Sequence, residues 1–187
     1  MGGRGARNEP ATADDIAAMA DIVREALQAG AFVSAAAGNN GEQEPIEYPG
    51  AQAGVFAVAA TDRQDRRAEF SSHHPGVSLS APGVDIVSSF PLDQPPGDKL
   101  GSDYALWSGT SMATPFVAGA AALLLAQNPA RTAEDIAARL RTTADPISGS
   151  ANGMGSGRLD AGGDVRARVL GDAGRQRFTA FAGNQVQ

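Results

Sequence analysis

The sequence contains no cysteine, so disulfide bonds, thiolate metal sites and cysteine nucleophiles are excluded within its 187 residues. This absence leaves the cellular compartment open, because secreted proteins need not contain disulfides. Basic residues are also scarce: 15 Lys and Arg face 21 Asp and Glu, giving a net charge of −6. Nucleic-acid binding requires a basic surface, so we expect no nucleic-acid partner.

The sequence shows no targeting or membrane segment. Residues 1–10, MGGRGARNEP, lack the apolar core of a signal peptide. The longest apolar stretch, residues 116–126, is short and rich in Ala and Gly, which predicts no membrane span. The length, with 42% apolar and 19% charged residues, is typical of one soluble globular domain.

Helical and strand-like patterns alternate along the chain. Short apolar segments that end at glycine or turn residues predict strands at residues 31–38, 55–62, 77–81 and 85–89. Helical periodicity predicts a helix at residues 12–29, with an inward face of Ile16, Met19, Val23 and Leu27, and another at residues 132–141, with Ile136 and Leu140 inward. Residues 113–127 are apolar nearly all round and predict a helix buried in the core, whereas the Pro/Gly-rich residues 91–103 predict a surface loop. Strands without polar alternation, mixed with helices, indicate an α/β protein with a covered, mostly parallel sheet.

The motif GTSMATP, residues 109–115, places a serine where a glycine-containing turn meets a long apolar helix. A helix N-terminus carries unpaired N–H groups and a partial positive charge, which would assist a nucleophilic Ser111 and stabilise an oxyanion. We expect the backbone N–H groups of Thr110 and Met112 to lie on either side of this serine. The alternative is that Ser111 only caps the helix, since serine is a favoured N-cap residue.

The motif AAAGNNG, residues 35–41, ends a predicted buried strand with small residues and an amide. Sites form at the carboxyl ends of strands in α/β sheets, so the amide of Asn39 is a candidate oxyanion donor. The alternative is an ordinary Gly-Asn turn.

These two motifs, AAAGNNG followed along the chain by GTSMATP, resemble those of the subtilisin-like serine proteases (subtilases, peptidase S8). Five further segments between and after them match the family in sequence order: YPG, VFAVAATD, FSS, SAPG and GSGRLDA. The resemblance implies a three-layer α/β fold and an endopeptidase that cleaves polypeptides through an acyl-enzyme. It implies Ser111 as the nucleophile and Asn39 as the oxyanion donor, and a secreted or cell-envelope location.

The resemblance also implies a substrate-binding site. Ala36, Ala37 and Gly38 match the wall of the pocket for the residue before the scissile bond. Gly2 and Gly3 match, over a shorter stretch, the facing strand that pairs with the substrate backbone. The chemistry needs no cofactor. Calcium is common in the family, but no match assigns ligands to it here.

The sequence departs from the family at the general base that a serine nucleophile needs. The family's Asp-Ser/Thr-Gly and His-Gly-Thr-His motifs are absent, and His73 and His74 follow Asn39 instead of preceding it. We therefore expect residues 1–170 to be the C-terminal part of a subtilase domain without its N-terminal strands, followed by a tail, residues 171–187. Activity of this chain alone should be low or absent, and a separate N-terminal half would carry Asp and His.

Two alternatives remain open at this point. The first is a non-catalytic subtilase remnant that binds peptides or a partner half. The second is a different serine hydrolase that uses His73 or His74 as its base. The acidic segment at residues 42–47, EQEPIE, would favour basic substrates or calcium, or would form a solvated loop.

Overall fold

The computed structural model describes residues 13–41, 46–89, 99–100, 104–147 and 152–166. Its helices are α1 (Ala13–Gln28), α2 (Thr110–Gln127), α3 (Ala133–Thr143) and α4 (Ala161–Arg166). Its strands are β1 (Ser34–Ala36), β2 (Phe56–Thr61), β3 (Leu79–Pro82), β4 (Ile86–Ser89), β5 (Lys99–Leu100) and β6 (Tyr104–Trp107). The three long predicted helices and the four predicted strands are thus present.

A parallel sheet in the order β1-β2-β3 forms the centre of the fold. All six residues of β2 are buried. Phe56, Val58 and Ala60 face the cluster that contains α2 and α3, whereas Ala57 and Ala59 face a second cluster with Met154. Because both faces of the strand are covered, its sequence shows no polar alternation, and the prediction of a covered parallel sheet is confirmed.

Helix α2 packs on this sheet and positions the candidate site at its N-terminus. The helix was predicted to begin at residue 113. It begins at Thr110 instead, so Pro115 lies in its second turn. One side is buried, including Val117 and Leu124, while Phe116 and Leu123 are 43% and 52% exposed. The expectation of a helix buried nearly all round is therefore wrong.

By length and composition α2 could also cross a membrane, so the expectation that this apolar stretch is too short is wrong. The same test is passed by core helices of proteins that contain no membrane span, and α2 contacts all three strands of the parallel sheet.

A second, antiparallel sheet in the order β4-β6-β5 lies next to the site. Strand β4 was predicted, but β6 was missed and β5 falls in a segment predicted as a loop. Strand β6 has four residues, of which only Ala105 is buried, so its sequence carries little local signal.

The other helices differ in how well their inward faces were predicted. In α3, Ile136 and Leu140 are buried as predicted. In α1, Val23 is buried, but Ile16 and Met19 are 40% and 47% exposed, so the predicted inward face is wrong over its first half. The expected tail at residues 171–187 lies outside the described residues.

Candidate active site

The candidate site forms where α2 begins, at the carboxyl ends of β1 and β3. The Gly109 N–H donates to the carbonyl oxygen of Gly83, just after β3, at 2.8 Å. The Gly38 N–H, just after β1, donates to Oγ1 of Thr110 at 3.3 Å. The second of these bonds joins residues that lie 72 positions apart in the sequence.

Ser111 is exposed in the first turn of α2. It is not the helix cap: the N-cap residue is Gly109, and no side chain caps this end. The backbone N–H of Met112 donates to the carbonyl oxygen of Gly109 at 3.0 Å. The expectation that Thr110 and Met112 supply free N–H donors is thus wrong, because the Thr110 N–H is also bonded, to Asn39.

The side chain of Asn39 is fixed by Thr110. Its Oδ1 atom accepts hydrogen bonds from the Thr110 N–H at 2.9 Å and from Thr110 Oγ1 at 3.0 Å. Thr110 is fully buried, which restrains this pair further. Because the oxygen end of the amide is occupied, the Nδ2 group remains as the donor that Asn39 can offer to a ligand.

Two N–H donors flank one small space beside Gly109. A Cβ atom built on Gly109 would lie 3.7 Å from the Ser111 backbone nitrogen and 3.8 Å from Asn39 Nδ2. Within the described part of the chain, neither donor makes a hydrogen bond. This space, left open by the missing side chain of Gly109, has the donors needed to stabilise an oxyanion.

An open cavity of about 650 Å³ adjoins this space. Its lining residues come from β6, the start of α2 and three loops: Asn39, Asp85, Leu106, Trp107, Ser108, Gly109, Ser111 and Met112. The structure therefore brings Ser111 and Asn39 together at one cavity.

Neither histidine lines this cavity. His74 lines a different one, with Gly50, Ser78 and Arg141, near the amino ends of β2 and β3. Its Nδ1 accepts a hydrogen bond from the Gly76 N–H at 2.9 Å. No hydrogen bond joins His73 or His74 to Ser111 within the described residues.

The predicted substrate wall lies at the end of β1. Ala36 is half-buried, while Ala37 and Gly38 are buried. Gly38 has a φ of 114°, and a Cβ built there would lie 2.9 Å from the side chain of Glu47. Glu47 thus borders this wall. Gly2 and Gly3 lie outside the described residues.

Among the described residues, no group of three or more His, Asp or Glu side chains is close enough together to hold a metal ion.

The chain matches the Subtilase family over residues 3–171, and it belongs to that family. It is 42% identical over 145 residues to Subtilisin BL of Lederbergia lenta, a match that covers 78% of this chain and 50% of that protein. It is also 42% identical over 139 residues to Thermitase of Thermoactinomyces vulgaris, covering 74% of this chain and 46% of that protein. The chain therefore spans about half the length of the curated relatives it matches.

Solved structures share the fold. Proteases from Pseudoalteromonas arctica align with a TM-score of 0.72 at 28% identity, over 84% of this chain and 48% of that chain. A lanthipeptide protease aligns with a TM-score of 0.71 at 20% identity, over 82% of this chain and 55% of that chain. The resemblance drawn from the motifs and the predicted subtilisin-like α/β fold are both confirmed.

Sequence reasoning missed two features of this site. The first is the role of Thr110 in fixing Asn39, and the second is Asp85 in the cavity wall. Thr110 belongs to the GTSMATP motif, but its hydrogen-bond partner Asn39 lies 71 residues away, so no local pattern indicates this hydrogen bond. Asp85 follows Pro82 and Gly83 as an ordinary turn residue would.

Proposed function

We propose that this chain carries the nucleophile and oxyanion site of a serine-type endopeptidase. The general base takes the proton of the Ser111 hydroxyl as its oxygen attacks the peptide carbonyl carbon. The peptide C–N bond then breaks, the base gives the proton to the leaving amine, and water hydrolyses the resulting acyl-enzyme. The Ser111 N–H and Asn39 Nδ2 stabilise the negative charge that develops on the carbonyl oxygen. The substrate is a polypeptide, and the wall formed by Ala36, Ala37 and Gly38 receives the residue before the scissile bond.

The observation that carries this proposal is the pair of donors beside Gly109. Both lie within 4 Å of one point, and Ser111 is exposed next to it. A serine that only caps a helix needs no second donor from a distant loop. The two hydrogen bonds from Thr110 to Asn39 further support this function, because an oxyanion donor must be held in place before the reaction.

The general base is proposed to come from an Asp and a His outside this sequence, carried on an N-terminal subtilase segment. His73 and His74 are poor candidates, because neither lines the cavity that contains Ser111. Without a base the serine hydroxyl is a weak nucleophile, so the chain alone should be a poor protease. Its family relatives suggest an extracellular location.

The test is covalent labelling of Ser111 by a fluorophosphonate probe. The chain is incubated alone and with a subtilase N-terminal segment that carries Asp and His. We expect labelling to increase strongly when the segment is present and to vanish in Ser111→Ala. Asn39→Ala should reduce turnover about 10²–10³-fold, as expected for one oxyanion donor.

Other outcomes separate the alternatives. Strong labelling of the chain alone that disappears in His73→Ala or His74→Ala would establish a different serine hydrolase. Peptide binding without labelling, even with the segment present, would contradict an enzymatic role and support a non-catalytic remnant.

A further inference from the structure

Asp85 has a backbone conformation that residues other than glycine rarely adopt. Its φ is 54°, in the left-handed region, which Asp and Asn tolerate better than other non-glycine residues. Its N–H donates to Oγ of Ser108 at 2.9 Å, which ties the start of β4 to the residue before Gly109. This turn places Asp85 in the wall of the cavity that contains Ser111.

Asp85 brings a negative charge into a cavity whose other lining residues are uncharged. It is exposed, and within the described residues no Lys or Arg forms an ion pair with it. The chain as a whole is acidic, so a carboxylate here adds to a field that attracts cations.

Part of the wall is apolar. Leu106, Trp107 and Met112 contribute hydrophobic surface, and Trp107 is 43% exposed. A lysine or arginine side chain combines a long aliphatic stem with a charged end. The stem would lie on the apolar wall, the charge would reach Asp85, and the indole face would add a cation–π contribution.

We infer that Asp85 makes this cavity select a lysine or arginine side chain of the polypeptide substrate. The inference rests on the proposed function, because it takes the cavity as part of the substrate site. The predicted wall for the residue before the scissile bond lies at the end of β1, and none of its residues lines this cavity, whose wall includes β6 and the loop before β4. The selected side chain therefore belongs to a residue other than the one just before the scissile bond.

Trp107 provides a direct readout, since it is the single tryptophan of the sequence and lines the cavity. A set of short peptides with blocked ends, alike except for one central Lys, Arg, Leu or Glu, is titrated into the full chain. Tryptophan fluorescence at pH 7 then gives a dissociation constant for each peptide. We expect the Lys and Arg peptides to bind about threefold to tenfold more tightly than the Leu peptide, with the Glu peptide weakest.

Asp85→Asn is the decisive variant, because Asn keeps the size and tolerates the left-handed backbone while the charge is lost. It should bring the Lys and Leu peptides to nearly equal affinity, and Asp85→Glu should retain the preference. Asp14→Asn, on an exposed position of α1, removes the same charge elsewhere and should change nothing. Raising the salt concentration from about 0.05 M to about 1 M should reduce the difference in affinity between the Lys and Leu peptides for the wild-type chain.

Equal binding of the Lys and Leu peptides to wild type would overturn the inference, as would a preference that survives in Asp85→Asn. If no peptide binds while Ser111 is still labelled in the presence of the N-terminal segment, the inference fails and the proposed function stands. If peptides bind with the expected preference but labelling never occurs, the proteolytic function fails and the cavity preference stands.

Discussion

The side-chain oxygen of Asn39 accepts two hydrogen bonds from Thr110, one from the backbone N–H at 2.9 Å and one from Oγ1 at 3.0 Å. Thr110 Oγ1 also lies 3.3 Å from both the nitrogen and the oxygen of Gly38. One buried hydroxyl therefore joins the start of α2 to the end of β1 and orients the amide beside Ser111.

Thr110→Val should loosen this arrangement, because valine keeps the shape but removes the hydroxyl. Loss of a buried hydrogen-bonding group should lower the free energy of unfolding by about 1–3 kcal/mol. Labelling of Ser111 in the presence of the N-terminal segment should also slow, since Asn39 is less well fixed. Thr110→Ser retains the hydroxyl and should restore most of the rate; equal rates for Val and Ser would contradict the role of the hydroxyl.

Gly109→Ala should reduce activity without unfolding the protein. The backbone at Gly109 has a φ of 162°, which any residue can adopt, and the added Cβ would meet Met112 Sδ at an ordinary 3.5 Å. The methyl group would, however, occupy the space between the Ser111 N–H and Asn39 Nδ2. Thermal melting should therefore change little, while labelling and peptide hydrolysis fall at least about tenfold. A rate equal to that of wild type would show that an oxyanion does not bind there.

Gly83→Ala should destabilise the fold. Its Cβ would lie 2.6 Å from Ala60 Cβ and 2.8 Å from the carbonyl oxygen of Gly109, so the sheet and the start of α2 would have to separate. We expect a loss of about 1–3 kcal/mol in urea unfolding. Gly119→Ala is the matched control, because it lies in α2 with nothing within 4 Å of the added Cβ. It should stabilise the helix by about 0.5–1 kcal/mol.

Helix α3 should contribute an acid-sensitive part of the stability. The Thr132 N–H donates to the carboxylate of Asp135 at 3.0 Å. This hydrogen bond, and to a smaller extent that of the Thr132 side chain, lowers the pKa of the Asp135 carboxyl from the ordinary 3.8. A lowered pKa means that the ionised form is favoured in the folded state. The contribution of ionised Asp135 to the free energy of unfolding is therefore complete above pH 3.8 and is lost as the pH falls through the folded pKa. Comparing the urea midpoints of wild type and Asp135→Ala between pH 6 and about pH 2 should show their difference shrinking at the acid end. A constant difference would contradict the prediction.

The exposed apolar residues of α2 should limit solubility. Phe116 and Leu123 are 43% and 52% exposed, and β1 lies at an edge of the described parallel sheet with no strand paired on its outer side. We expect the isolated chain to be marginally stable or aggregation-prone. Leu123→Lys should reduce light scattering at equal concentration, whereas Ala130→Lys, at an already exposed position beyond α2, should not. A cooperative melt of a purified wild-type monomer would contradict the expectation.

The helices and the buried strands could be predicted because their signals are local. The run of apolar residues over β2 follows from its burial on both faces, and the periodic Ile136 and Leu140 of α3 follow from a single buried stripe. The exposure of Ile16 and Met19 in α1 could not be predicted, because an apolar stripe on a helix does not specify how much neighbouring structure covers it. Strand β6 was missed for a related reason: only Ala105 of its four residues is buried, so no buried apolar run marks it.

The family, the covered parallel sheet and the two motifs that carry Ser111 and Asn39 could be predicted from the residues alone, because these properties depend on residue order and on local periodicity. The packing of the fold established three further relationships: Thr110 fixes Asn39, Gly109 leaves a space between two donors, and Asp85 lies in the cavity beside Ser111. Each of these relationships joins segments that are distant in the sequence, and their distances are fixed by how the strands and α2 pack together.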